Sequence, residues 1–69
     1  MIGKLISEYM KANGIKQSYV AEKVGITPSV MSDICIRNRK IDCLLYYRIC
    51  CVLGVPYEFF IEKTLNNNG

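Results

Sequence analysis

The sequence predicts an all-α domain of five short helices, and three observations carry that prediction. Apolar residues return at helical spacing along most of the chain, rather than in the alternation of a half-buried strand. Gly14, Gly25 and Gly54 stand where those stretches stop, while Thr27 with Pro28, then Asp42, then Pro56 stand where the next ones begin. The length of 69 residues admits one core and leaves no room for a second domain.

The first helix is expected over residues 2–13, where Ile2, Ile6, Tyr9 and Met10 share one face. Lys4, Glu8 and Lys11 fall on the opposite, solvated face, with Lys4 and Glu8 spaced for an i,i+4 ion pair worth a few tenths of a kcal/mol. Ile15 packs after the Gly14 stop, and Lys16 is a poor N-cap, so Gln17 becomes the first residue of the second helix. A helix start of this kind attracts phosphate through its unpaired N–H groups and its dipole. Val20, Ala21 and Val24 form the inner face of that helix, and Gly25 ends it.

Only Gly25, Ile26 and Thr27 remain for the turn before the third helix, 28–36, which Thr27 caps and Pro28 opens. Met31 and Ile34 point inward, leaving Pro28, Ser29, Ser32 and Asp33 outside. A short turn opening on glycine, with a small alanine in the helix before it, is the corner a DNA-binding helix-turn-helix requires. The outer face is small and polar, which suits a major groove and equally suits plain solvent. Packing of this kind also occurs in helical hairpins that bind nothing.

Asp42 caps the fourth helix, 43–53, whose inner face is Tyr46, Ile49, Cys50 and Leu53. Leu44, Tyr47 and Cys51 occupy the opposite stripe, which has no reason to face water and calls for another helix or another subunit. Pro56 opens the fifth helix, expected over 57–65, with Phe59 and Phe60 as the largest buried rings. The domain therefore runs over 1–65, and the polar tail 66–69 is expected to fray.

With 51% hydrophobic residues in so small a globule, some apolar surface is left for a partner, and a dimer is the expectation. Lys and Arg number 9 against 6 Asp and Glu, net +3, a mild excess that suits an anionic partner without demanding one. Arg37, Asn38, Arg39 and Lys40 form either a solvated loop or an anion-holding one. Cys35, Cys43, Cys50 and Cys51 show no Cys-x-x-Cys spacing and no histidine accompanies them, so neither a metal site nor any cofactor is expected. No leader precedes the cysteines and no apolar run approaches the roughly 20 residues of a membrane span, which points to a reduced cytoplasm and away from membranes. Enzymatic function is not expected either: there is no catalytic set, since no carboxylate pair shares a face and the apolar neighbours of Cys50 and Cys51 favour packing over nucleophilic work.

Taken together, Gly14-Ile15-Lys16-Gln17, Val20-Ala21-x-x-Val24-Gly25-Ile26-Thr27, Met31-Ser32-x-Ile34 and Ile49-x-x-x-Leu53-Gly54-Val55-Pro56 resemble the lambda-repressor-like, Cro-type helix-turn-helix regulators, the Xre family. The resemblance covers most of the chain without gaps. It implies a five-helix lambda-repressor-like bundle whose third helix reads double-stranded DNA in the major groove. It further implies a homodimer on a short palindromic operator, in a repressor of phage, mobile-element or bacterial origin. By position it places Gln17 on a phosphate and against the start of the third helix, and turns Thr27, Pro28, Ser29 and Asp33 toward bases, with Pro28 or Val30 suited to a thymine methyl. Ser32, Arg37, Asn38, Arg39 and Lys40 would hold the DNA backbone. Asp33 is expected to steer Arg37, four residues on, rather than to meet a cytosine amino group.

Three departures from the family pattern stand out. Met10 and Cys35 stand where the family usually pairs an Arg with a Glu, and Arg37 stands where it has glycine. Leu44, Tyr47 and Cys51 replace positions usually polar, which favours a self-association surface. The same stripe would suit a regulatory protein partner, as in an antitoxin-like interaction module with little DNA binding.

Overall fold

The second, third and fourth helices start and stop where the chain's capping chemistry puts them. The computed structural model describes residues 2–37 and 39–67, and among these the chain forms α1 (Ile2–Ala12), α2 (Gln17–Val24), α3 (Pro28–Ile36), α4 (Cys43–Leu53) and α5 (Phe59–Asn67). Thr27 and Asp42 both lie in extended backbone and accept hydrogen bonds from the third residue of the helices they open, Val30 N–H at 3.2 Å and Leu45 N–H at 2.8 Å. Lys16 makes no side-chain cap, as its chemistry dictates. At the other end of α2, Gly25 takes the left-handed conformation (φ 84°), and the N–H groups of Gly25 and Ile26 both return to the Ala21 carbonyl at 3.0 Å.

The core is one cluster fed by every helix. Ile6 and Met10 of α1, Val20, Ala21 and Val24 of α2, Met31, Ile34 and Cys35 of α3, and Tyr46, Ile49, Cys50 and Leu53 of α4 are all buried around Phe60 of α5. Met10 and Cys35, where the family places an ion pair, are 1% and 8% exposed. An apolar pair at these positions leaves no charge to be desolvated, and no buried side-chain N or O atom lacks a partner among the described residues. Burial pushes the Cys35 thiol up in pKa, with a Ser7 hydrogen bond working the other way.

α1 lies across the back of α3 more closely than its apolar spacing announces. A Cβ on Gly3 would run into the backbone carbonyl of Ile34, so the two helices meet main chain to main chain at that point. No sequence periodicity marks this contact, because it depends on which elements cross.

An aromatic group fixes α5. The rings of Tyr9, Phe59 and Phe60 meet edge to face, with centroids 5.6 Å, 5.8 Å and 5.0 Å apart pairwise, and Tyr46 meets Tyr57 in the same manner at 4.8 Å. The Tyr46 hydroxyl donates to the Tyr57 carbonyl at 2.5 Å, and the Cys50 thiol reaches that same oxygen at 4.0 Å. Burial first, and the neighbouring Cys50 second, push the Tyr46 pKa up to about 12.

Three expectations are corrected. The fifth helix does not start at Tyr57: Phe59 N–H closes a turn onto the Pro56 carbonyl at 3.1 Å, Tyr57 gives its carbonyl to Tyr46, and the helix begins at Phe59. It also continues through Asn67 rather than ending near Leu65, so Asn66 and Asn67 of the expected tail are helical. Lys4 and Glu8 are exposed and form no ion pair among the described residues, two solvated side chains gaining little by meeting. Among the described residues no helix is long and apolar enough to cross a membrane.

Candidate nucleic-acid interface

The α2–α3 corner presents α3 outward. With Met31, Ile34 and Cys35 turned into the core, Pro28 and Ser29 are exposed, and Val30, Ser32 and Asp33 are half-buried along the flank. Thr27 is exposed, and although its hydroxyl oxygen accepts from Val30 N–H, its own proton stays available to donate. α2 packs against α3, and lacking a side-chain cap it leaves its first N–H groups unclaimed by any side-chain capping oxygen, as an anion would require. Gln17, the first helical residue there, is half-buried and makes no hydrogen bond to α3 among the described residues.

The basic loop continues directly from α3. Arg37 ends the helix between the helical and extended regions (φ −98°, ψ 5°), and because φ stays negative no glycine is needed at this place. Arg37, Arg39 and Lys40 are exposed, and Asn38, expected among the backbone contacts, lies outside the described residues. Asp33 meets the loop twice. Its Oδ1 lies 3.7 Å from Arg37 Nε, the i,i+4 pairing expected from the sequence, and its Oδ2 lies 3.7 Å from Arg39 Nη1. The Asp33 carbonyl also accepts from the backbone N–H groups of Arg37 at 2.9 Å and Arg39 at 3.2 Å. Arg39 as a partner had no signal in the sequence, because six residues is no helical spacing and the loop must turn back to reach.

Along α4, Leu44 is 60% and Tyr47 53% exposed, and Cys51 is exposed too, so no helix of the chain covers that stripe among the described residues. Tyr57 extends it, its ring 6.3 Å from that of Tyr47. The sequence does not mark this fourth member, because helical spacing from Pro56 puts Tyr57 inside a helix, whereas it lies in the turn before one.

Such a set can hold a polyanion by two means, a helix start without a side-chain cap and a run of cations, while the outer face of α3 carries small polar groups able to touch base edges. Comparison with known protein families bears on this directly: a family model described as helix-turn-helix matches residues 6–60, which spans α2, α3 and the loop between α3 and α4. No curated protein and no solved structure matches the chain.

Proposed function

Because the chain belongs to the lambda-repressor-like, Cro-type helix-turn-helix family, a family of DNA-binding regulators, we propose that it is a sequence-specific transcriptional repressor acting without cofactor. α3 enters the major groove of a short palindromic operator, and Pro28, Ser29, Val30 and Asp33, with Thr27 at the start, face the bases. Gln17, Ser32, Arg37, Asn38, Arg39 and Lys40 hold the phosphates on either side. The observation that supports this most is the outer surface of α3, exposed at Pro28 and Ser29 and running at its far end straight into a basic loop.

A homodimer fits the second surface. Leu44, Tyr47 and Cys51 of one protomer would cover the same residues of its partner, as two-fold symmetry requires. Two copies of α3 would then lie in successive major grooves roughly 34 Å apart, and an operator overlapping a promoter would exclude polymerase. The exposed Leu44 and Tyr47 also favour a second reading, in which that stripe receives a different protein and DNA binding is slight.

Selection of bound duplexes from a random pool, at stated salt, tests the first reading. The expected outcome is a two-fold-symmetric consensus whose binding weakens steeply as salt rises. Replacing Arg37, Arg39 and Lys40 with Ala should flatten that salt dependence. Selection yielding no consensus, with a protein partner captured in a salt-insensitive complex through Leu44 and Tyr47, would favour the second.

A further inference from the structure

We propose that Asp33 is a brake on the basic loop, one that sets how well the protein separates its operator from random DNA. The inference rests on the regulator reading and names the residue that gives it selectivity. Both carboxylate oxygens are engaged, one with Arg37 and one with Arg39, each at 3.7 Å. The carbonyl of the same residue holds the backbone N–H groups of both arginines at 2.9 Å and 3.2 Å. One residue of the groove-facing helix thus holds two cations of the loop by side chain and by main chain together.

The backbone bonds fix where the loop runs, and the carboxylate decides what its cations do. An arginine beside a carboxylate is partly neutralised, and a DNA phosphate must displace Asp33 to take it. A random duplex offsets that displacement in only part of its registers: where guanine or thymine turns an acceptor oxygen toward the carboxylate, the two repel. Where cytosine or adenine presents an exocyclic amino group at that place, Asp33 turns to accept from it, and Arg37 and Arg39 pass to the phosphates. The base contact and the phosphate contacts are then made together or not at all. Selectivity comes from weakening the wrong complex, not from strengthening the right one.

The test compares the wild type, Asp33→Asn, the double variant R37A/R39A and the triple variant D33N/R37A/R39A. Each is titrated by fluorescence anisotropy, over a series of salt concentrations, against a random-sequence duplex and against a duplex selected by the wild type. Asparagine keeps the size of the side chain and can still accept from a base, but it holds no cation. The expected result is that D33N binds random duplex about threefold or more tightly. Its salt slope should steepen by up to about 0.9 per arginine released, and the preference for the selected duplex should fall. In the R37A/R39A background the same change should have much less effect. The brake is overturned if D33N leaves random-duplex binding and its slope at wild-type values. It is overturned equally if D33N tightens binding as much without the arginines as with them, since Asp33 would then act by plain repulsion of DNA. Salt-dependent duplex binding by the wild type with either of those outcomes removes the brake alone. A wild type that binds no duplex removes the regulator reading together with it.

Discussion

Gly3→Ala tests the seat of α3. The added methyl would have to occupy the position of the Ile34 backbone carbonyl, a helix main-chain atom that cannot swing aside as a side chain would. α1 must therefore lift from α3, loosening the buried contacts of Ile6 and Met10 behind it. Overpacking of a tight core contact costs about 1–3 kcal/mol, and the better helix propensity of alanine returns at most about 1 kcal/mol. A net loss of about 1–2 kcal/mol lowers the unfolding midpoint of a domain this small by roughly 5–15 °C. Thermal unfolding followed by circular dichroism measures it, with the exposed Lys4→Ala as a control expected to stay within about 0.5 kcal/mol of wild type. A Gly3→Ala protein as stable as the wild type would refute the main-chain contact between α1 and α3, and with it the account of how α3 is held.

Alkaline pH should weaken the fold. The Tyr46 pKa is about 12 in the folded chain against an ordinary 10.0, so its contribution is complete below pH 10 and is lost as pH climbs through 12, up to about 3 kcal/mol from 1.36 per unit. The buried Cys35 and Cys50 thiols, also raised, act in the same direction. The urea midpoint should be level near neutrality and drop across that window, more gently in Tyr46→Phe; a midpoint rising there would contradict the assignment. Asp42→Ala removes the 2.8 Å cap on Leu45 N–H and should cost about 1 kcal/mol in urea unfolding, an unchanged midpoint showing that the cap contributes nothing. On the proposed dimer, the wild type should sediment as two copies and Leu44→Glu or Tyr47→Glu as a helical monomer at the same concentration; a monomeric wild type removes the dimer, and a variant that remains dimeric places the interface elsewhere.

Local chemistry made most of the fold legible. Thr27, Pro28, Gly25, Asp42 and Gly54 act within a few residues of themselves, so the ends of α2, α3 and α4 could be read from the chain, as could the inward faces of Val20, Ala21, Val24, Met31 and Ile34. Non-local geometry was hidden. Gly3 carries no mark of the carbonyl it lies against, Arg39 none of its turn back to Asp33, and the start of α5 depends on a Tyr57 carbonyl taken by a tyrosine 11 residues earlier. At the candidate interface, residue type and register identified the α3 face and the basic run. The arrangement of charge within that run needed coordinates.

The four cysteines divide evenly, Cys35 and Cys50 inside and Cys43 and Cys51 at the surface. An alkylating reagent should accordingly tag Cys43 and Cys51 at once in the single chain, dilute enough to keep copies apart, and the other two thiols only as often as the core opens. Cys50 and Cys51 are neighbours in sequence, so one proteolytic fragment carries both a shielded thiol and its exposed reference. The ratio of their labelling, read by mass, turns the chain into its own gauge of opening, with no dye or reporter added.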